Sequence, residues 1–366
     1  AEYYSQFPSH NTVCVDGISS YPVMKSNHSF DLLSCFPATA ESGSGFTSVT
    51  YSNVAFREPE SRADQTRMMS IVTTGPETGY YIDVFRSRKE QGGDKMHDYF
   101  YHNLGQTMTL TAADGTDLNL QPTEELAFAG AHLYAYSYLY DKKVAATDKD
   151  VKVTFTIDMK DKDGDDISMN LWMKGEPERE VFTALAPMTE GLSRIPGMPY
   201  NIKEQPTLTF VARQHGEAWN RPFVAVYEPS TRKEPSAIEA VSFFDAEEAG
   251  LKDFAGICVE SKNGRTDHIF SLSDSSQTAT YRGMKVKADY AVISNEYAGN
   301  RTFFLGNGTQ LITPDVSIRT SAAANVLLEQ KQGKWYILSS APCTIMIDGK
   351  NVQSGVTSKS TLLAVQ

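Results

Sequence analysis

The chain has 366 residues, of which 40% are hydrophobic and 22% are charged, a composition typical of a folded globular protein and not of a disordered one. The formal net charge of -11 argues against nucleic acid as the main partner, because phosphate binding depends on neutralisation by Lys and Arg. No apolar run approaches the roughly 18 residues that a membrane span needs, so we expect none. The four cysteines are too few and too scattered for a disulfide framework or a paired metal site, and we interpret them as small buried hydrophobic residues.

Short stretches of alternating apolar and polar residues occur along much of the chain. Residues 151–157 and 167–173 alternate in this way on either side of an acidic segment at 161–166, which predicts an antiparallel hairpin. Helical signals are sparse, and the best is at 246–249, before Gly250. We predict further strands at 68–74, 80–87, 107–112, 207–213, 223–227, 267–272, 288–294 and 334–339.

Regularly spaced short strands bounded by Gly, Pro, Asn or Asp indicate an all-β fold. The polar segment at 228–235 contains two prolines and is the preferred domain boundary. The sequence therefore predicts a large antiparallel β-sandwich over residues 1–235, followed by a smaller antiparallel β-sandwich over residues 236–366.

Three stretches, in the same order, resemble the C-terminal region of the heparinase II/III-like polysaccharide lyases. The first, at 9–17, reads SHNTVCVDG. The second is GYYIDVFR at 79–86, followed after a loop by HDYFYH at 97–102. The third, at 222–229, reads PFVAVYEP. The three together cover positions in roughly the first two thirds of the chain, and they are more specific as an ordered set than any one alone.

This resemblance implies an enzyme with an upstream α/α-toroid domain that supplies most of the catalytic residues. Such enzymes cleave acidic, uronic-acid-containing polysaccharides by β-elimination. One group neutralises the uronate carboxylate, a Tyr or His removes the C5 proton, and an acid assists the departing oxygen. We therefore assign no catalytic residue to this chain, expect it to be inactive by itself, and expect a periplasmic or secreted protein. Its first residues carry no recognisable signal peptide.

His10 is the candidate metal ligand, because the resemblance implies that the histidine of the first stretch binds zinc. Its expected co-ligands, a His and an Asp, belong to segments that precede Ala1 in the family order. Zinc needs three or four ligands, so we expect it in the full-length protein and not on His10 alone. The alternative is a histidine near the start of a strand that is hydrogen-bonded to backbone.

His97 and His102 lie at the two ends of an aromatic run and are candidate substrate-binding residues. Strand alternation places His97, Tyr99 and Tyr101 on one face and His102 on the other, so the two histidines cannot act as one pair. In the functional interpretation, one histidine, with Tyr99 or Tyr101, faces a polysaccharide-binding cleft. The alternative is a buried strand whose polar groups are hydrogen-bonded internally.

Three further side chains are candidates for contact with an anionic sugar. Arg86 and Arg88 alternate along one strand, and guanidinium groups match the geometry of carboxylate or sulfate; the alternative is a solvated face. Trp219, in a predicted loop, is either a platform for a sugar ring or a cover at the edge of the core. The acidic segment at 161–166 has its glycine too early for a calcium-binding EF-hand loop, so a plain hairpin turn is favoured.

No nucleophile elbow, phosphate loop or dinucleotide fingerprint is present in the sequence. Three function classes therefore remain. The first is the β portion of a polysaccharide lyase, and its main rival is a non-catalytic carbohydrate-binding or structural β module. The third class is an intracellular β-sandwich interaction protein.

Overall fold

The computed structural model describes residues 3–18, 29–38, 47–91, 93–127, 131–159, 165–189, 191, 194–196, 202, 204–296, 299–357 and 359–365. Strands make up 60% of the structure and helices 4%, and the strand pairs are antiparallel, which confirms the predicted all-β fold class. Within the described ranges, no helix is both long enough and apolar enough to cross a membrane.

The strands are named here in chain order. The first fourteen are β1 (Val13–Val15), β2 (Asp31–Phe36), β3 (Val49–Glu58), β4 (Ala63–Thr73), β5 (Gly79–Lys89), β6 (Met96–Asn103), β7 (Thr107–Ala112), β8 (Gln121–Pro122), β9 (Tyr140–Ala146), β10 (Val151–Ile157), β11 (Ile167–Met173), β12 (Arg179–Ala186), β13 (Thr207–His215) and β14 (Ala218–Thr231). The others are β15 (Ile238–Phe244), β16 (Ala255–Ser261), β17 (Thr266–Ser271), β18 (Ala279–Tyr281), β19 (Met284–Asn295), β20 (Arg301–Ile312), β21 (Val316–Lys331), β22 (Lys334–Ser339), β23 (Cys343–Ile347), β24 (Lys350–Ser354) and β25 (Thr361–Leu363). Short 3₁₀ helices are found at Tyr3–Ser5, Phe7–Ser9 and Ala131–Tyr138.

Alternation located the strands well. The bounds of β7, β10, β11 and β22 are those predicted, and β10 pairs antiparallel with β11, as the hairpin prediction required. Most of its acidic turn, at 160–164, lies outside the described residues. The best of the sparse helical signals, at 246–249, does not correspond to a helix. There the Glu248 carboxylate accepts hydrogen bonds from the Thr280 amide (2.8 Å) and hydroxyl (2.6 Å), so contacts to a distant strand replace helical ones.

The chain forms two compact units. The first, unit 1, contains residues 1–31, 55–66 and 85–236, and unit 2 contains residues 32–54, 67–84 and 237–366. Strands β3, β4 and β5 contribute residues to both. The polar segment at 228–235 begins as strand, because β14 continues to Thr231 and Pro229 lies opposite Met169 of β11. The domain division at residues 235 and 236 stays a prediction.

Unit 1 is a sandwich of two sheets. The strand order in its first sheet is β1-β6-β13-β12-β9-β8, and its second sheet includes β14-β11-β10-β7. Between the sheets, Tyr99, Phe210, Val153, Leu171 and Phe223 are in one buried apolar core. Because alternate residues of a strand point to opposite faces, this core takes only half of the residues on β6, β12 and β13.

The outer face of this first sheet is also covered. Phe100, Phe182 and Val211 form a second buried core with Tyr3 and Tyr136, which come from two of the 3₁₀ helices. Strand β6, which carries the predicted substrate-binding run, therefore has apolar packing on both faces.

Unit 2 is built mainly from one long, bent sheet with the order β15-β16-β17-β19-β20-β21-β22-β25. The first part of β21 pairs with β23 and its second part with β22, and β19 divides in the same way between β18 and β17. Residues from both parts, including Val286, Ile318, Phe303 and Leu328, enclose a common core. A buried polar group is also present, in which Asp267 accepts hydrogen bonds from Tyr80 and Arg265 at 2.6 and 2.8 Å.

Candidate functional site

The first stretch that carries the family resemblance pairs along β1 with the 97–102 part of the second stretch, on β6. The Asn11 side-chain oxygen accepts a hydrogen bond from the His102 backbone amide at 2.7 Å, beyond one end of β1. At the other end, Asp16 Oδ1 accepts from the backbone amide of Met96 at 3.2 Å, while Asp16 and Gly17 form a tight turn with positive φ angles. Asn, Asp and Gly are the residue types that such positions favour. The first stretch therefore holds β6 in place through side-chain hydrogen bonds beyond both ends of β1.

The third stretch contacts the second through aromatic side chains. Tyr227 and Tyr99 are hydrogen-bonded through their hydroxyl groups, and both residues are buried. The Tyr101 ring is stacked on Tyr227, with 5.0 Å between the ring centroids. The first stretch, the 97–102 part of the second and the third thus meet inside unit 1, and these contacts give their residues a structural role.

The His97 side chain is fully buried, and both of its ring nitrogens have partners. A carboxylate can only accept, so Nε2 carries a proton and donates to Asp94 Oδ1 at 2.9 Å. In the neutral ring, Nδ1 then accepts from the Ser87 hydroxyl at 2.9 Å, and Ser87 in turn accepts from Gln65 at 3.1 Å. Ser87, His97 and Asp94 are the residue types of a Ser-His-Asp triad. Ser87 and His97, however, have no exposed surface at which a substrate could react.

His102 points to the opposite face, as the alternation predicted. Its Nε2 donates to the Pro8 carbonyl at 2.6 Å, and its Nδ1 is 2.9 Å from the Thr209 hydroxyl. Burial lowers the pKa of His102 to about 4, so the ring is neutral near pH 7. This histidine fastens the N-terminal segment to the sheet.

A buried ion pair next to these histidines was missed by the sequence analysis. Arg213 donates to both Asp98 oxygens, at 2.7 and 2.9 Å, and the Tyr136 hydroxyl donates to Asp98 at 2.7 Å. Glu125 lies 3.3 Å from the same guanidinium. Burial, followed by the charge of Asp98, raises the pKa of Tyr136 well above its usual value. The only signal in the sequence was the position of Asp98 within the second stretch.

Among the remaining predicted residues, Arg88 and Trp219 reach the surface together. Arg86 is buried, whereas Arg88 is exposed and its guanidinium carbon lies 4.0 Å from the centroid of the Trp219 ring. The Trp219 amide donates to the Glu217 carboxylate at 2.6 Å, which holds the turn between β13 and β14. We call Arg88 and Trp219 the Arg–Trp surface. The substrate-binding roles of all seven candidate residues stay predictions.

His10 is exposed, and its backbone amide donates to the Phe7 carbonyl at 2.9 Å. Across the described ranges, no three His, Cys, Asp or Glu side chains are grouped so that they could hold a metal ion. Both ring nitrogens of His102 already have partners. The described residues therefore do not fit a zinc ion by themselves.

Comparison with known proteins relates the chain to polysaccharide lyases. Residues 241–330 match the family model of the endo-acting ulvan lyase C-terminal domain. The chain is 33% identical over 231 residues to an endo-acting ulvan lyase of Formosa agariphila, an alignment that covers 61% of this chain and 26% of that protein. The chain thus spans about a quarter of the length of this relative. These matches support the predicted relation to a polysaccharide lyase, and they leave the heparinase II/III-like assignment a prediction.

Proposed function

We propose that this chain is the β portion of a polysaccharide lyase that cleaves a uronic-acid-containing polysaccharide by β-elimination. The observation that carries the proposal is the 33% identity over 231 residues to an endo-acting ulvan lyase. Ulvan is therefore the first substrate to test. The proposal includes a heparinase II/III-like architecture with an upstream α/α-toroid, and a periplasmic or secreted location. The chain alone is inactive or nearly so.

The Arg–Trp surface supports a role in holding the substrate. An exposed guanidinium can bind a sugar carboxylate, and the Trp219 ring beneath it holds the Arg88 guanidinium in place for that contact. Because the Arg88 guanidinium already lies over the Trp219 ring, less of its side-chain freedom is lost when an anion binds. In this proposal the surface binds the polymer, and residues outside this chain perform the proton transfers.

The activity is tested by incubating ulvan with the full-length precursor and, separately, with residues 1–366. Elimination creates a conjugated, unsaturated uronate, so ultraviolet absorbance reports each cleavage. We expect absorbance to rise with the precursor and not with residues 1–366. Absence of a rise with the precursor on ulvan and on every other uronate polymer tried would contradict the proposal.

The Arg–Trp surface is tested separately by affinity electrophoresis of residues 1–366 in gels that contain ulvan. We expect Arg88→Gln and Trp219→Ala to reduce the retardation several-fold. Arg57→Gln is the matched control, because Arg57 is an exposed arginine that pairs with Glu90 at 2.9 Å. Equal retardation of all three variants and the unsubstituted chain would contradict a role of the Arg–Trp surface in binding ulvan.

A non-catalytic carbohydrate-binding module is the second candidate. It is favoured by the observation that Asn11, Asp16, His97 and Tyr99 are engaged in contacts within unit 1. Such motif residues can persist because they build the sandwich. Binding of ulvan by the full-length precursor without any cleavage would favour this candidate over the lyase.

Zinc belongs to the proposal only for the full-length protein. We propose that His10 is one of its ligands and that the others come from segments outside this chain. The test is the zinc content of the purified full-length protein, measured by elemental mass spectrometry, beside that of its His10→Ala variant. About one zinc per chain, with a clear loss in the variant, is expected; equal zinc content in the two proteins contradicts this role of His10.

A further inference from the structure

A surface depression of about 450 Å³ lies at the β8–β9 edge of the first sheet of unit 1. Its lining includes Thr123, Glu124, Tyr140, Asp141 and Lys142. The volume falls within the range of about 300–1,000 Å³ that is usual for small-ligand sites. The depression is large enough for one or two sugar units, and none of its residues belongs to the three stretches described above.

A β-bulge between β12 and β9 lies at Asp141 and Lys142, two residues that line this depression. Thr183 of β12 lies opposite Lys143, and Leu185 lies opposite Tyr140, so one residue of β12 faces Asp141 and Lys142 together. Asp141 has a φ of +46°, in the left-handed region that few residues other than glycine adopt. A bulge changes the direction in which the side chains beside it point. Here the bulge interrupts the regular alternation of β9 between Tyr140 and Lys143.

Tyr140 presents its ring to solvent at the depression, with 49% of the residue exposed. Within the described part of the chain, no hydrogen bond and no ring contact holds this side chain. The residue before it, Leu139, is buried in the outer core of unit 1 and fixes the backbone at this point. An anchored but exposed aromatic ring is suited to stacking on the apolar C–H face of a pyranose.

The polar groups around Tyr140 indicate the charge of the ligand. The carboxylates of Glu124 and Asp141 have no ion-pair or hydrogen-bond partner among the described residues, whereas the Lys142 ammonium donates to the Glu124 carbonyl at 3.3 Å. Two carboxylates and one ammonium give the depression a net negative charge. Carboxylates accept hydrogen bonds from sugar hydroxyls but repel a uronate or sulfate.

We propose that this depression binds an uncharged pyranose unit of a polysaccharide, stacked on Tyr140 and hydrogen-bonded to Glu124 and Asp141. It would act in addition to the Arg–Trp surface, whose chemistry selects anionic units. A polymer with both neutral and acidic units could then be held at two points. The site does not depend on lyase activity, so it can be tested whether or not the proposed function holds.

The test is saturation-transfer NMR on residues 1–366 with methyl glycosides of neutral hexoses and 6-deoxyhexoses, and with methyl glucuronide as the charged comparator. We expect saturation transfer to ring C–H protons of at least one neutral glycoside and weaker transfer to the glucuronide. Tyr140→Ala should weaken the binding about tenfold, and Asp141→Asn should weaken it with little strain, because Asn tolerates a positive φ. Tyr81→Ala is the matched control, since Tyr81 is also an exposed tyrosine and lies in unit 2.

Circular dichroism and thermal melting establish that each variant is folded before it is compared. Three results would overturn the proposal: no transfer to any neutral glycoside, equal binding by the Tyr140→Ala and unsubstituted chains, or tighter binding of the glucuronide. None of these outcomes bears on cleavage by the full-length precursor, so failure here and failure of the proposed function are distinguishable.

Discussion

The buried ion pair between Asp98 and Arg213 makes a strong prediction about stability. Asp98 has no exposed surface, and only 8% of the Arg213 side chain is exposed. The Asp98→Ala substitution leaves the guanidinium in the core beside Glu125, at 3.3 Å, and removes the acceptor of the Tyr136 hydroxyl. Loss of one partner from a buried pair costs about 3–5 kcal/mol. We therefore expect the free energy of unfolding of unit 1 to fall by about that amount.

The measurement is urea denaturation followed by tryptophan fluorescence and circular dichroism. Removing both charges with Asp98→Leu and Arg213→Met should recover much of the loss, because apolar groups can replace a buried ion pair. Arg57→Ala is the control, since it breaks an exposed pair and should cost less than about 1 kcal/mol. If Asp98→Ala costs no more than Arg57→Ala, the view that this pair stabilises the sheet is refuted.

Two further predictions concern His102 and glycine packing. The folded-state pKa of His102, about 4, lies below its ordinary value of about 6.5, so the unfolded chain binds this proton more readily. His102 therefore adds about 3 kcal/mol to the free energy of unfolding above pH 6.5, and this part is lost as the pH falls to about 4. Urea denaturation at a series of pH values should show a smaller pH dependence of the unfolding free energy for His102→Gln than for the unsubstituted chain. Equal pH dependence in the two proteins would contradict this. Gly175→Ala should lower the free energy of unfolding by about 1–3 kcal/mol, because the added Cβ would overlap the Asp148 carbonyl. Gly250 has open space around it, so Gly250→Ala should change the free energy of unfolding by less than about 0.5 kcal/mol in the same assay. Similar losses in the two glycine variants would contradict the packing argument.

The positions of the strands, and the sheet face to which each β6 side chain points, could be predicted because both follow from alternation with a period of two residues. Tyr99 enters the inner core and Phe100 the outer one, as alternation requires. What alternation does not supply is the covering of the second face. That cover comes from the 3₁₀ helices near residues 3 and 136, which carry no periodic signal of their own.

The partners of the candidate residues could not be predicted, because they depend on sheet order and register. Arg213 meets Asp98 only because β13 pairs with β6 in the register that puts the two residues opposite each other. Ser87 reaches His97 from a different strand, and Trp219 of β14 meets Arg88 of the neighbouring strand β5. A shift of one residue in any strand would turn these side chains to the other face.

Each unit is built from three separate segments of the chain, and local sequence patterns do not predict this division. Residues 32–54 and 67–84 belong to unit 2, although they come early in the chain. Buried groups such as Tyr80 and Asp267 are separated by more than half of the sequence and still form a 2.6 Å hydrogen bond. Contacts of this kind require the folded topology, and no composition or turn signal marks them.

The central claim is that the full-length protein cleaves its polysaccharide by elimination, with this chain as its β portion. The most direct measurement is mass spectrometry of the products formed by the full-length precursor from ulvan. Elimination adds no water across the broken bond, so each new non-reducing end should be an unsaturated uronate, and each such product should be lighter by one water than its hydrolytic counterpart. Saturated products that have gained one water for each cleaved bond would identify a hydrolase and contradict the claim.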